Sequence, residues 1–365
     1  MNAERDLIME RSLEETYGGT DTGTNGSVGR RSVLRSVGVV GAGLAAGAAV
    51  VAASSHGEPT EIDACTTITE PGEYVLVDDL HLDTEERVGC IVIESDDVTL
   101  RGDGHTITGS DTVDGGFGVA VIPPSWPFWS PPLENVTVED LTVTGFRDGI
   151  HYRFVDGGSI GRIRATDNGR GIALVDDVLD VSIEHNRITD CRTGLALVGD
   201  SEVGFHPGSI PIRNNDVLRN GRGITLGAWV GGNPIERNRI VRNEIGIVQG
   251  LFAGANEVRY NHICESEEVG YLNADAYWVD LLGEIDADPE DRIDMQATAL
   301  ENYWGATNGP SSFGGPEEPL TDPETGRPAD GDGDAVSEGL DEGIANVRFD
   351  PFLETSLDDV GADLD

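Results

Sequence analysis

The residues from Val181 to Leu272 form four similar rows, and these rows decide the fold. They read VSIEHNRITDCRTGLAL (181–197), IPIRNNDVLRNGRGITL (210–226), NPIERNRIVRNEIGIVQ (233–249) and NEVRYNHICESEEVGYL (256–272). Each row centres on an asparagine, and these lie 29, 23 and 23 residues apart: Asn186, Asn215, Asn238 and Asn261. Self-similarity with a period of about 20–30 residues is typical of solenoid proteins.

Short aliphatic runs separated by turn residues make these rows strands rather than helices. Three residues before each asparagine stands Ile183, Ile212, Ile235 or Val258, and Gly, Asn and Asp interrupt the runs. No long stretch has the 3.6-residue period of an amphipathic helix. The sequence therefore predicts an all-β, single-stranded parallel β-helix with about 22–29 residues per coil.

Polar columns beside the asparagines predict contacts between coils. Two residues before them the rows carry Glu184, Arg213, Glu236 and Arg259, and one residue after them Arg187, Asp216, Arg239 and His262. Coils stack about 4.8 Å apart, so opposite charges in one column can pair. We expect the asparagines themselves to form a hydrogen-bonded ladder at a turn.

The chain before the repeats is predicted to direct export. Residues 1–29 are polar, Arg30 and Arg31 follow, and an uncharged stretch rich in Ala, Val and Gly reaches Ser55. A twin arginine before a modest apolar stretch is typical of a twin-arginine export signal. The alternative is that the stretch is retained as an anchor. The predicted organisation is therefore residues 1–55 as disordered terminus and signal, 56–315 as β-helix, and 316–365 as an acidic tail that partly caps it.

The composition favours a salt-dependent protein. The chain has 67 acidic and 24 basic residues, a net charge of −43, and no lysine. At molar salt the Debye length falls to about 3 Å, which screens most of the repulsion. The composition resembles that of proteins from extremely halophilic archaea. Nucleic acid is excluded as a partner because no basic patch is present. No membrane-length apolar run follows the signal, so we expect a monomer that does not span the membrane, extracellular or cell-surface in location.

Four cysteines are present in the chain. Cys65 and Cys90 are 25 residues apart, close to one coil, so their Cα atoms would lie about 5 Å apart, within disulfide reach. Cys191 and Cys264 fall at different row positions about three coils apart, and we expect both thiols to stay free.

Several further segments carry a family resemblance. CTTITEPGEYVL, CIVI, DVTLRGDGHTITG, NVTVEDLTVTGFRDGI, the repeated rows and NYWGATNGPS look together like the β-helix proteins of the NosD and carbohydrate-binding/sugar-hydrolase type, in their secreted haloarchaeal form. The resemblance covers about residues 62–353. It implies a right-handed parallel β-helix. It says little about activity, because this fold hosts lyases, hydrolases, adhesins and binding proteins.

Loops that depart from the repeat are the candidate substrate-binding segments, since solenoids place variable loops on one face. PPSWPFWSPP (123–132) offers Trp126, Phe128 and Trp129, and SEVGFHPGS (201–209) offers Phe205 and His206. Aromatic side chains have flat apolar faces that could stack on sugar rings or cover a coil.

Metal binding has weaker signals in the sequence. Asp330, Asp332 and Asp334 resemble part of a Ca²⁺ loop, but Ala335 stands where that loop needs glycine, so a structural Gly/Asp loop is the alternative. Copper would want clustered His, Cys or Met, whereas the seven histidines are scattered. No cofactor is firmly predicted, with Ca²⁺ as a possible one.

Candidate catalytic residues are acids at equivalent places on successive coils. Asp176, Asp177 and Asp200 could supply the two carboxylates of a glycoside hydrolase, and His151 is the best basic candidate, with Arg153 beside it. An acid-rich solenoid produces such coincidences readily. The sequence thus favours a secreted halophilic β-helix that binds extracellular or cell-surface polysaccharide. The alternatives are a polysaccharide-degrading hydrolase or lyase, and a passive surface or adhesin-like protein.

Overall fold

The computed structural model describes residues 50–51, 58–82, 88–109, 116–124, 131–199, 206–274, 296–315, 317–339 and 341–364. Every regular element in these ranges is a β-strand. The strands are β1 (Val50–Val51), β2 (Thr60–Ile62), β3 (Thr66–Ile68), β4 (Gly72–Leu76), β5 (Leu80–His81), β6 (Gly89–Ile93), β7 (Val98–Arg101), β8 (Thr106–Thr108), β9 (Phe117–Val121), β10 (Leu133–Glu139), β11 (Thr142–Thr144), β12 (Asp148–Gly161), β13 (Arg164–Thr166), β14 (Arg170–Glu184), β15 (Arg187–Thr189), β16 (Thr193–Val198), β17 (Ile212–Arg213), β18 (Asp216–Leu218), β19 (Arg222–Leu226), β20 (Pro234–Glu236), β21 (Arg239–Val241), β22 (Ile245–Gln249), β23 (Glu257–Arg259), β24 (His262–Cys264), β25 (Val269–Asn273), β26 (Ala297–Thr298), β27 (Pro310–Ser312), β28 (Gly333–Val336) and β29 (Val347–Arg348).

The strands pair in parallel with the equivalent strands of the next coil and build three faces. The first face runs β3, β6, β9, β12, β14, β16, β19, β22, β25 and β28. The second runs β2, β4, β7, β10, β12, β14, β17, β20, β23, β26 and β29. The third runs β5, β8, β11, β13, β15, β18, β21 and β24. Long strands β12 and β14 join the first two faces, and the predicted all-β parallel β-helix is confirmed.

The interior of the coils is apolar because side chains alternate between the two sides of each strand. Ile183, Ile212, Ile235 and Val258 are rung partners on the second face, and all four are buried. The predicted column of the four rows is therefore the core. Beyond the rows, β26 to β29 add to the same faces, so the regular stacking continues into the predicted tail.

Buried asparagines form the predicted ladder at the turn between the second and third faces. Asn186, Asn215 and Asn238 each donate from Nδ2 to the Oδ1 of the next asparagine, at 2.9, 2.9 and 3.0 Å. The ladder continues beyond prediction, since Asn261 donates to Asn302 at 3.0 Å. Each Oδ1 also accepts a backbone N–H from the coil below, so the ladder satisfies buried backbone groups that would otherwise lack partners.

Replacing a central member of this ladder should be strongly destabilising. In Asn238→Ala, the backbone N–H and side-chain amide of Asn215 lose their shared acceptor, and the Ile212 carbonyl loses its donor. Each unpaired buried group costs about 1–3 kcal/mol, so we expect the free energy of unfolding to fall by about 4 kcal/mol in a denaturant titration. The exposed Asn308→Ala is the control, expected to change it by less than about 0.5 kcal/mol. Equal effects of the two variants would contradict the ladder's role.

The charged columns also pair as predicted. The carboxylate of Asp216, only 1% exposed, accepts from Arg187 at 3.0 Å and from Arg239 at 2.9 Å, one coil on either side. Arg213 lies 3.3 Å from Glu236 and 4.0 Å from Glu184. Arginine is thus already engaged by acids of its own columns.

The predicted disulfide is present. Cys65 and Cys90 are bonded, with Cα atoms 4.5 Å apart, and Cys191 and Cys264 are free. Closing a 25-residue loop should stabilise the fold by about 3 kcal/mol, mainly through the unfolded chain. We expect Cys65→Ser with Cys90→Ser to lower the free energy of unfolding by that amount. Wild type assayed with reductant is the matched control and should approach the double variant; if the variant is as stable as the oxidised wild type, the bond does not contribute.

The last described residues turn back along the third face. Within residues 353–364, the Leu357 N–H donates to Nε2 of His262 at 2.8 Å, and the Ala362 N–H donates to Oδ1 of Asp216 at 3.3 Å. This segment therefore crosses several coils along the solenoid axis. The division of the chain at residue 315 stays a prediction.

In the described ranges, no helix is long and apolar enough to cross a membrane. The predicted signal with Arg30 and Arg31 lies outside the described residues.

Candidate functional site

Aromatic side chains line up where the first face turns into the second. His206, Trp229 and Phe252 each stand two residues before a glycine of one column, and Gly208 pairs with Gly231. The spacing is 23 residues at both steps. On the preceding coils, Asp177 and Phe154 occupy the equivalent place, since Val178 pairs with Val155. We call Phe154, His206, Trp229 and Phe252 the aromatic edge.

The rings of this edge contact one another from coil to coil. The centroids of Trp229 and Phe252 are 4.4 Å apart, and those of His206 and Trp229 are 6.4 Å apart. Trp229 is 49% exposed, the one exposed aromatic among the large apolar residues that the structure describes. The buried neighbours Val178, Val230 and Ala253 fill the interior just behind. The edge is therefore an outward-facing ladder of rings and not part of the core.

The backbone at these rings is unusual. Trp229 and Phe252 have φ of 64° and 57°, and Phe154 has φ of 53°. The left-handed region suits Gly, Asn or Asp at a turn, and a bulky side chain there costs about 1–2 kcal/mol. Large rings kept at a strained turn position are a reason to look for a role outside folding.

Acidic side chains form a rung within the aromatic edge. Asp176 is buried and accepts from Nε of Arg153 at 2.5 Å, and that guanidinium lies 5.4 Å from the Phe154 ring centroid. Partial burial raises the pKa of Asp177, and the nearby carboxylates of Asp156 and Asp176 raise it further. The rung presents carboxylate oxygens that can accept hydrogen bonds beside flat apolar rings.

The structure brings some predicted site residues together and separates others. Asp176, Asp177 and His206 lie on the aromatic edge. Asp200, Phe205, Trp126, Phe128 and Trp129 lie outside the described residues, so their roles stay predictions.

His151 does not join the acidic rung. Its Nδ1 is 2.8 Å from the carboxylate of Asp148, and its ring stacks on Phe117 with centroids 4.2 Å apart. Arg153, its predicted basic partner, bonds Asp176 instead. A catalytic role for His151 stays a prediction, but its partners differ from those expected.

The predicted Ca²⁺ residues do not converge. Asp332 accepts from the Asn308 amide at 3.2 Å, Asp334 accepts from the Ser266 N–H at 3.0 Å, and Asp330 is exposed. Among the described residues, no group of three or more His, Cys, Asp or Glu is placed to hold a metal ion. These acids fit the structural Gly/Asp loop that the sequence left open as the alternative.

Comparison with known proteins places the chain in a family. A family model described as periplasmic copper-binding protein (NosD) matches residues 84–309, more than half of the chain. The chain belongs to the NosD family. A search of curated proteins found no significant match.

Solved structures similar to this NosD-family chain have low sequence identity. They include the mannuronan C-5 epimerase AlgE6 A-module of Azotobacter vinelandii, at 19% identity and TM-score 0.45, covering 71% of this chain and 77% of that one. A DFA-IIIase of Arthrobacter chlorophenolicus A6 has 14% identity and TM-score 0.42, covering 70% of this chain. The periplasmic alginate epimerase AlgG has 16% identity and TM-score 0.41, covering 69% and 68%. This chain spans 63% of the length of the DFA-IIIase.

The copper of the NosD family description does not fit the described donors of this chain. Burial raises the pKa of the Cys191 and Cys264 thiols to about 12, which disfavours the thiolate that binds metal. One nitrogen of His151 is engaged by Asp148, and one of His262 accepts from the backbone of Leu357. The described part of this NosD-family chain offers no clustered set of soft ligands.

Two members of the aromatic edge were missed by the sequence reasoning. Trp229 and Phe252 fall between the four rows, in the connecting residues that the row alignment left out. Their spacing of 23 residues from each other, and of Trp229 from His206, was the available signal.

Proposed function

We propose that the protein binds an extracellular or cell-surface polysaccharide along the aromatic edge. The observation that carries this proposal is the exposed, ring-on-ring ladder of Trp229 and Phe252 at strained turn positions. A sugar ring has an apolar C–H face that packs on the face of an aromatic ring. The rings follow one another at the coil spacing of about 4.8 Å, comparable to the length of one pyranose residue.

The acidic rung supplies the polar half of such a site. Asp177 and the exposed Asp156 can accept hydrogen bonds from sugar hydroxyls, while the rings of the edge take the apolar faces. Molar salt leaves these short contacts in place because screening acts mainly beyond the Debye length.

The same proposal includes export. The twin arginine at Arg30 and Arg31 supports secretion by the twin-arginine pathway, and the name of the NosD family refers to a periplasmic protein. We propose a monomer at the cell surface or outside the cell, with a salt-dependent fold.

Retention on immobilised glycans tests the proposal. The full chain in molar salt is passed over a panel of neutral and acidic polysaccharides, with an unsubstituted matrix as the control. Retention on at least one glycan supports binding. Elution with the void volume from every matrix would overturn it and favour a passive surface protein.

A second candidate is a polysaccharide-degrading enzyme, and Asp177 favours it. A carboxyl with a raised pKa beside a second carboxylate is an arrangement that can donate a proton to a glycosidic oxygen. The same incubations distinguish the two candidates when reducing ends and the ultraviolet absorbance of unsaturated products are followed. Product formation that Asp177→Asn abolishes would replace binding by catalysis as the function.

The aromatic loop at 123–132 is a proposed second contact. It follows β9, whose last residue Val121 pairs with Tyr152, two residues before Phe154 of the edge. We expect Trp126→Ala with Trp129→Ala to lose retention on the glycan that wild type binds. Val77→Ala, at a 42% exposed residue, is the control. Unchanged retention in the double variant would exclude the loop.

A further inference from the structure

A buried polar cluster lies on the first face, apart from the aromatic edge. Asp148 is fully buried, and its carboxylate accepts from Nε and a terminal nitrogen of its rung partner Arg170, both at 2.6 Å. The same carboxylate lies 2.8 Å from Nδ1 of His151. Three hydrogen bonds therefore converge on one buried acid.

This cluster fixes where the proton of His151 sits. Burial alone would raise the pKa of Asp148, but Arg170 and His151 outweigh it and hold that pKa well below its usual range. Burial lowers the pKa of His151, which favours the neutral ring. The ionised carboxylate accepts the proton of Nδ1, so Nε2 carries the lone pair.

The Nε2 atom is left available by its surroundings. The ring is held against Phe117, with an interplanar angle of 15°, and its rung neighbours on either side are Ala120 and Ala173. No residue of the described part of the chain is hydrogen-bonded to Nε2. A histidine that is only 4% exposed therefore directs one unused acceptor at a fixed point.

Arg147 adds a positive charge beside this acceptor. Its side chain is 50% exposed, and its guanidinium lies 4.8 Å from the centroid of the Phe117 ring, on which His151 also stacks. Because Arg170 already pairs with Asp148 in two-point contact, the Arg147 charge, 3.6 Å from that acid, is in excess. The cluster thus carries a local net charge of about one positive unit in a strongly acidic protein.

We propose that Arg147 and His151 form a subsite for an acidic sugar residue of the bound glycan. Arg147 donates to the sugar carboxylate, and Nε2 of His151 accepts from a neighbouring hydroxyl. The subsite is on the coil that carries Phe154, and three strand residues separate His151 from Phe154, about 10 Å along the strand. This inference rests on the proposed glycan binding and adds its class, a uronate-containing polymer.

Matched polymers test the subsite. The full chain in molar salt is titrated with polygalacturonate and a polyglucuronate, and with each polymer after chemical reduction of its carboxyls to alcohols. Wild type should bind at least one acidic form about tenfold more tightly than its reduced form. Arg147→Gln should remove that preference, and His151→Asn, which retains an N–H for Asp148, should weaken binding of both forms. Arg162→Gln, at an arginine equally exposed but paired with Glu139, is the control and should change nothing.

Each possible result has a distinct meaning. Equal affinity of wild type for acidic and reduced polymers, or an unchanged preference in Arg147→Gln, would overturn the subsite while leaving the aromatic edge in place. In that case Trp229→Gly would still abolish binding of either form. Failure of wild type to bind any polymer of the glycan panel would overturn the proposed function itself.

Discussion

Transfer from molar salt into dilute buffer should unfold the protein. The net charge is −43, and the arginines of the central columns already pair with acids, so most acidic residues have no cation to meet. At 0.1 M salt the Debye length is about 10 Å, longer than the coil spacing of about 4.8 Å, so carboxylates on adjacent coils repel. At 1 M it is about 3 Å, shorter than that spacing. We expect the β-sheet circular-dichroism signal to be lost on dialysis to 0.1 M NaCl.

Two further conditions show whether screening is the cause. Sucrose at matched osmolality, in 0.1 M NaCl, should not restore the signal, because it adds no ions. Restoring molar NaCl should recover it. A native spectrum kept in 0.1 M NaCl would contradict salt dependence.

Replacing Trp229 by glycine should separate binding from folding. The ring is half exposed, and its loss removes the central contact with the glycan, which should weaken binding at least about tenfold, or about 1.4 kcal/mol. Glycine accepts the φ of 64° without the side-chain penalty of about 1–2 kcal/mol. That gain offsets the lost packing on Phe252, worth about 0.5–1.5 kcal/mol. The free energy of unfolding should therefore change by less than about 1 kcal/mol.

Val88→Gly is the matched control for this variant, because Val88 is 58% exposed and lies outside the aromatic edge. It should leave glycan affinity unchanged. If Trp229→Gly binds as tightly as wild type, the aromatic edge is a cover for the coils and not a binding surface. If Trp229→Gly unfolds instead, the ring has a structural role that its exposure does not indicate.

The periodic part of the fold was predictable because its physics repeats. One row specifies a strand, a turn and an inward aliphatic residue, so the column of Ile183 and the ladder from Asn186 to Asn261 follow from alignment alone. Asn302 escaped because 41 residues separate it from Asn261, a gap that hides its equivalence. The return of residues 353–364 along the third face depends on backbone N–H groups, which leave no pattern in side chains.

The candidate sites were harder to predict because they depend on contacts outside the rows. Asp176, Asp177 and His206 were chosen as separate candidates, and only the register of β12 and β14 puts them beside one another. Trp229 was overlooked because each row was read around its asparagine. Asp148 was missed since a charged residue before a repeated glycine looks like a solvated strand end, whereas it is fully buried by Arg170 and His151.

Hydroxyl-radical footprinting of the protein with its bound glycan tests the central proposal most directly. Oxidation rates of individual aromatic residues are measured by mass spectrometry in molar salt, with and without the polysaccharide that the panel selects. The aromatic edge predicts that Trp229 and Phe252 become protected, while Phe352, which packs under Arg327 at the far end of the chain, keeps its rate. Unchanged oxidation of Trp229 in the glycan-saturated protein would contradict binding at this edge.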